Sequence, residues 1–332
     1  MSSTFRGYVV DQKDGKYVGG FRDLTVADLP DYDVLVDVDY SSLNYKDGLA
    51  VKGARPIART FPMLCGLDLA GTVAESRTPA FKPGDHVVAT GGGGLSETMW
   101  GGYAAKTRVK PETLVKLPKG FTSKQAMAIG TAGYTAMLAI MDLEHAGVTP
   151  DKGEVLVTGA AGGAGSIAVA VLAKLGYCVI ASTGRESTHD YLKKLGASAI
   201  IARSELDRAS KPLEPQRWAG VVDTVGSKTL VTALAQTKEG GAVAAFGLAG
   251  GPDLPGTVMP FILRAVKLIG VYYHAPTVKA WREQAWERLN RDLDKGLLES
   301  LTVEEPLSRI ETLADQILKG ETRGRVVIDV HK

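Results

Sequence analysis

The residues from Val155 to Arg185 combine types whose spacing could do chemistry. An apolar run meets Gly159, Gly162, Gly163 and Gly165, a helical stretch follows, and a second apolar run closes in Ser182-Thr183-Gly184-Arg185. Without Cβ atoms, backbone N–H groups can approach a diphosphate, and the start of the following helix adds about half a positive charge. In this strand–glycine–helix–strand context, Ala160, Ala161, Gly162, Gly163 and Ala164 are the candidates to cradle such a group. The alternative is a tight turn that binds nothing. An acidic residue commonly closes the second strand of such a unit, accepting hydrogen bonds from the adenosine ribose, and it would repel a 2′-phosphate. Here Ser182, Thr183, the Gly184 N–H and Arg185 offer donors instead, with Arg203 at the end of the next apolar run. The stretch therefore reads as a site for NADPH rather than NADH; otherwise Arg185 is an ordinary solvated arginine opening the next helix.

These residues need elements to hold them. Up to about residue 125 the sequence reads as β, with DVLVDVDY (33–40) alternating apolar and polar residues and short strands following in LDLAGTVAES, GDHVVAT and YAAKTRVK. FKPGD (81–85) and GGGG (91–94) supply turns. Short strands at this spacing suggest a small barrel or sandwich. From Phe121 a long helical stretch begins, broken around Gly130-Thr131-Ala132-Gly133. Strands and helices then alternate through LIGVYY, the grammar of a parallel, doubly wound sheet. An amphipathic helix over WREQAWERLNRDLDKGL and a strand–helix–strand tail complete the chain, and the last strand needs a sheet to join. The expected domains are 1–125, 126–272 and a linking and returning segment 273–332.

The bulk numbers narrow the class. The 332 residues suit two domains, and 45% hydrophobic with 23% charged residues is ordinary for a globular protein. A net charge of +2 without a basic stripe argues against nucleic acid. No uninterrupted apolar run reaches the roughly 20 residues of a membrane span, and the N-terminal stretch lacks the apolar core of a signal peptide. Cys65 and Cys178 read as small buried hydrophobes, and their scarcity points to a reducing cytoplasm.

The blocks SSLNYKDGLA (41–50), FPMLCGLDLAGTV (61–73), IGTAGYTAMLAIMDLEHAGV (129–148), VLVTGAAGGAGS (155–166), STGRESTHDYLKKLGAS (182–198) and VMPFILR (258–264) make the chain similar to the medium-chain dehydrogenases/reductases. Within them it resembles the group filed as quinone oxidoreductases, whose characterised members are NADPH-dependent acrylyl-CoA reductases. The resemblance implies a GroES-like β-barrel catalytic domain joined to a Rossmann domain, an active site in the cleft between them, and a homodimer. It also implies that no metal is used. Asn44 stands where zinc-dependent relatives have their first cysteine, and Leu67-Asp68 stands where they have His-Glu. The four-cysteine lobe is absent, and the histidines form no ligand spacing.

Without zinc, a conjugated thioester must be polarised by hydrogen bonds aimed at its oxygen while hydride reaches the β carbon and a proton the α carbon. The resemblance places Asn44, Tyr45, Lys46 and Asp47 at the reacting corner, with Tyr45 against the nicotinamide as donor to the substrate oxygen or as proton source. Other readings remain for each: Tyr45 as a cleft-lining aromatic, Lys46 and Asp47 in a local salt bridge, and Asn44 as a helix cap. Loops at the carboxyl ends of the strands add Thr224, Gly247 and Leu248 to the cofactor site. By resemblance Ile262, Tyr273 and Thr131 join them, although Leu248 and Ile262 also suit plain packing. Arg325 is expected to meet a phosphate of NADPH or CoA, or else to be a surface arginine. The leading expectation is an NADPH-dependent 2-enoyl-CoA reductase acting on acrylyl-CoA; a zinc-free quinone reductase and a non-catalytic NADPH-binding protein are the alternatives.

Overall fold

The alternation that begins at Val34 produces a long strand, Val34–Leu43, whose inward residues Val34, Val36 and Val38 are fully buried. It is the centre of a seven-stranded sheet, pairing antiparallel with Leu69–Ser76, Lys106–Val109 and the last strand of the chain, Arg325–Asp329. That last strand runs parallel to Thr302–Pro306 on its other side. A separate three-stranded sheet is built from Phe5–Lys13, Lys16–Leu24 and Met63–Leu64. Its hairpin turns at Asp14-Gly15, both with positive φ, the turn that matches strand twist, and it adds strands beyond those the alternation indicates. The computed structural model describes residues 4–91, 93–272 and 279–332.

The chain divides into two compact units. The first holds the residues up to Thr131, a later segment ending at Asn290, and Leu298–Lys332. The second holds Ala132–Tyr272 and Arg291–Leu297. The change of unit thus falls at Thr131–Ala132 rather than at residue 125, inside the helical stretch Ser123–His145. That stretch is two helices joined at Gly130, whose φ of 52° and ψ of −165° leave the helical region. It has the length and hydropathy of a membrane span, yet 83% of its apolar window is buried inside the protein.

The second unit is a six-stranded parallel sheet in the spatial order 199–202, 179–183, 155–157, 218–223, 237–245, 267–270. The order reverses direction between Val155–Val157 and Trp218–Asp223, the switch point beside which open α/β sheets bind ligands. Helix Gly163–Lys174 covers the sheet with Ile167, Val169 and Val171, all fully buried. Its close packing requires glycine at 165, where a Cβ would collide with the Gly159 carbonyl oxygen and the Ala160 Cα.

Some elements differ from the periodic reading. Within the strand–helix alternation, the segment after Arg185 is a 3-10 turn, Glu186–Thr188, followed by the short helix His189–Lys194. The amphipathic stretch near the C-terminus is two helices, Lys279–Asp292 and Lys295–Ser300. Cys65 is buried, but Cys178 is exposed, because it precedes the strand Val179–Thr183 instead of lying within it.

Helix Lys279–Asp292 is anchored to the first unit by Trp286, 1% exposed and edge-on to Phe121 at 6.2 Å between ring centroids. Removing an indole from such a site costs about 3–5 kcal/mol. Trp286→Ala should lower the unfolding midpoint in urea accordingly, while the secondary structure of the second unit, followed by far-UV circular dichroism, persists; an unchanged midpoint would contradict this anchoring.

Candidate active site

In the first unit, the junction between strand Val34–Leu43 and helix Tyr45–Lys52 is wrapped around two buried carboxylates. Asn44 is the N-cap of the helix, and Asp47, three residues on, accepts the Asn44 backbone N–H at 2.9 Å and the Asn44 amide at 3.0 Å. Its other oxygen accepts the Leu67 N–H at 2.8 Å. Burial, with the charge of Asp68 next in importance, pushes the Asp47 carboxyl up to about 7.

Asp68 is the second carboxylate and is fully buried. One oxygen accepts the Ser42 hydroxyl at 2.5 Å, the Asn44 amide at 2.9 Å and the Thr131 N–H at 2.8 Å. The other accepts the Gly91 N–H at 3.2 Å and the Thr131 hydroxyl. Arg325 completes the cluster. Its Nε donates to the Ala128 carbonyl at 2.8 Å, and one terminal nitrogen donates to the Leu43 carbonyl at 3.4 Å and to Asn44 Oδ1 at 3.3 Å. Burial lowers the pKa of the guanidinium, opposed by the charges of Asp68 and Asp47. The other terminal nitrogen, Nη2, is buried without a hydrogen-bond partner.

This geometry sorts the residues expected at the corner. Tyr45 is 41% exposed at the first turn of its helix, available to a ligand. Asn44 and Asp47 are buried and spend their polar atoms inside the cluster. Lys46 pairs with Glu97, as a local salt bridge would. Thr131, a cofactor-lining candidate, donates both its N–H and its hydroxyl to Asp68. At 2% exposure Arg325 is not a surface arginine, because the strand Arg325–Asp329 turns it inward. Asp68 and Ser42 are the residues that sequence reasoning missed as a polar centre. The available signal was a lone acidic residue within the apolar block FPMLCGLDLAGTV.

In the second unit, the loops at the carboxyl ends of the central strands are tied together by another buried carboxylate. Asp223 accepts the Thr158 hydroxyl at 2.7 Å and the Gly226 N–H at 2.8 Å, and burial raises its pKa. The Thr224 hydroxyl donates to the Thr158 carbonyl at 2.9 Å, tying the two loops together. Gly247 lies against the Thr224 backbone. Ala160 and Ala161 are buried, and Ala160 donates its N–H to the Ser182 carbonyl at 3.1 Å. Gly162, Gly163 and Ala164 at the helix N-terminus are partly exposed and remain the candidates for a diphosphate.

At the end of strand Val179–Thr183, Ser182 and Thr183 are 1% and 6% exposed. The Thr188 hydroxyl donates to the Arg185 carbonyl at 2.6 Å, so the Thr183 hydroxyl donates in turn to Thr188 at 3.1 Å. Thr183 thus helps shape the loop. Strands 179–183 and 199–202 end side by side, with Thr183 opposite Ala202. Arg203 follows directly, and a Cβ at Gly184 would lie 3.2 Å from its guanidinium carbon. Arg185 is the half-buried residue that opens the next turn. The structure thus brings Arg203 to Gly184, where the sequence places a phosphate site. Leu248 and Ile262 are exposed at 42% and 68%. Tyr273 lies outside the described residues.

Residues 30–119 match the family described as the alcohol dehydrogenase GroES-like domain, and residues 163–291 the family described as zinc-binding dehydrogenase. Over 98% of its length the chain is 49% identical to the acrylyl-CoA reductase AcuI of Ruegeria pomeroyi, covering 99% of that protein. It is 42% identical over 99% of its length to the protein named "Putative quinone oxidoreductase YhfP" of Bacillus subtilis, again covering 99% of that protein. The crystal structure of E. coli K-12 YhdH with bound NADPH superposes with a TM-score of 0.94 at 51% identity, over 98% of this chain and 99% of that one.

The second family description names zinc, and the donor set does not suit it. Zinc takes about four nitrogen, sulfur or oxygen ligands. Among the described residues, no group of three or more His, Cys, Asp or Glu side chains could hold a metal. At the corner itself Asp68 is filled by N–H and O–H donors, and a guanidinium is buried beside it.

Asp47 gives a pH-dependent test. Its folded-state pKa of about 7 lies above the ordinary value of 3.8, so folding favours its protonated form. The contribution is fully present below 3.8 and is lost as pH rises through about 7. The stability of Asp47→Asn relative to wild type, from urea titrations, should therefore rise across that window and level off above it. A difference that stays flat or falls with pH would contradict the assignment.

Proposed function

The chain belongs to the medium-chain dehydrogenase/reductase family, and from that premise we propose that it is an NADPH-dependent reductase of the carbon–carbon double bond of a 2-enoyl-CoA, converting acrylyl-CoA to propionyl-CoA. The observation that carries this reading is near-half identity, along almost the whole chain, with a protein named acrylyl-CoA reductase. The residues of the second unit fit the cofactor. Gly162, Gly163 and Ala164 would hold its diphosphate at a helix N-terminus, and Arg185 and Arg203 would meet its 2′-phosphate where no acidic residue intervenes. When bound, NADPH supplies a hydride to the β carbon of the substrate.

The remaining chemistry belongs to the protein. Negative charge passes to the thioester oxygen as the β carbon is reduced, and a donor aimed at that oxygen lowers the barrier. We assign this to Tyr45, the exposed member of its quartet. Asn44 and Asp47 fix the helix that presents it, and the pairing of Lys46 with Glu97 holds the same turn. Reduction is complete when the α carbon takes up a proton. The similarity to YhfP, with the activity in its name, supports a second reading, NADPH-dependent quinone reduction, which uses the same cofactor residues. The first reading also takes the protein to be a cytoplasmic homodimer, supported by two unpaired cysteines for the compartment and by family resemblance for the dimer.

NADPH oxidation measured side by side with acrylyl-CoA, crotonyl-CoA and a benzoquinone tests the reading. The expected order places acrylyl-CoA first in kcat/KM, a larger value for the quinone favours the second reading, and silence on all three refutes both. Arg185→Ala should weaken NADPH by about 10- to 100-fold, the effect of losing one charge-assisted hydrogen bond, and leave NADH nearly untouched. Equal losses for both cofactors, measured by fluorescence titration, would remove Arg185 from the 2′-phosphate site. Tyr45→Phe should lower kcat more than it raises the Kd for NADPH, and an unaltered kcat would exclude the phenol.

A further inference from the structure

The polar cluster around Asp68 is larger than a helix cap needs. Asn44 and Asp47 alone satisfy the first turn of helix Tyr45–Lys52. Asp68 adds links to parts of the chain far apart in sequence: Ser42 before the helix, Gly91 in a turn, and Thr131 at the break in Ser123–His145. Gly130, at that break, has φ +52°, and a Cβ there would meet Arg325 Nη2, Asp68 Oδ2 and Ser42 Oγ, all within 2.8 Å. Guanidinium and carboxylate are therefore pressed against the same backbone point, and only glycine leaves room for them. Arg325 also donates to Asn44 Oδ1 at 3.3 Å, while Asp68 accepts the amide of the same residue at 2.9 Å. Both ends of the Asn44 side chain are thus gripped, one by a cation and one by an anion. The next residue is Tyr45.

Building on the reductase reading, we propose that Asp68 and Arg325 are positioning residues for the reaction: by clamping the two ends of the Asn44 amide they fix the start of the helix and so the direction of the Tyr45 phenol. The clamp explains why a charged pair is kept in the interior. A neutral pair would fill the same space, but only a carboxylate accepts from every donor around Asp68, and only a guanidinium donates at once to the Ala128 and Leu43 carbonyls and to Asn44 Oδ1. A donor misplaced by about 1 Å can cost as much as 100-fold in rate.

A double-mutant cycle on the full-length enzyme tests the clamp. Asp68→Asn keeps the shape but turns an NH2 group toward N–H and O–H donors. It should lower kcat by about 10- to 100-fold, with the Kd for NADPH, read by fluorescence, within about twofold of wild type. In a Tyr45→Phe background the same change should have almost no further effect on kcat, because the group it positions is gone. Ser42→Ala removes one donor to Asp68 and is a milder variant should Asp68→Asn fail to fold; its smaller loss of kcat should also vanish in that background. Arg325→Met should behave like Asp68→Asn. Multiplicative losses in the cycle, an unaltered kcat in the single variants, or parallel losses of NADPH affinity and kcat would each overturn the proposal. The cycle uses whichever of acrylyl-CoA and benzoquinone the wild type reduces. An inactive wild type therefore sinks the reductase reading and the inference with it, whereas an active wild type with independent effects sinks the clamp alone.

Discussion

Burying carboxylates is the constraint around which both units are arranged. An ionised carboxylate taken out of water is costly unless donors surround it. Asp68 meets that condition through side-chain and backbone donors from separate parts of the first unit, and Arg325 lies against the same cluster. Asp47 is less completely compensated, and its raised pKa is the sign of it. Since the donors come from a strand end, a helix cap, a turn and a helix break, satisfying the charge fixes how these elements meet within the unit. The first turn of helix Tyr45–Lys52 inherits that rigidity.

The second unit solves the same problem with one carboxylate. Asp223 and Thr158 bond at the ends of two adjacent parallel strands, and Thr224 returns a hydrogen bond to Thr158. Those bonds hold the loops on either side of the switch point, where backbone and not side chains must face a ligand. Close approach of Gly165 to the Gly159 carbonyl seats the next helix with its N-terminus at that crevice. Thr183 and Thr224, which have the types of ligand contacts, also hold the backbone in place through their hydroxyls.

At the junction of strand Val34–Leu43 and helix Tyr45–Lys52 the protein gathers hydrogen-bonding groups, and among the described residues no cluster suits a metal. The zinc relatives polarise a carbonyl with a cation held by cysteine and histidine. In this chain the corner holds an amide, two carboxylates and a guanidinium, all turned inward, and a phenol turned outward. The inward groups hydrogen-bond to one another and to the backbone, and Tyr45 is the exposed one.

The amino-acid sequence alone determined the fold class, because strand alternation at 33–40 and the βαβ order after residue 150 are local patterns that survive without neighbours. It also determined the glycine corner and the missing acidic residue at Arg185, since both are set by residue type at a short spacing. What it did not determine was the direction in which polar side chains point. Arg325, Thr131 and Thr224 have the chemistry of ligand contacts, and only the packing of distant segments shows the hydrogen bonds they make inside the protein. Asp68 is the counterpart case: its neighbours in sequence are apolar and give no hint of its donors, which arrive from residues 23 to 63 positions away. Hydrogen bonds across such separations follow from tertiary contacts, and no local pattern of residues encodes them.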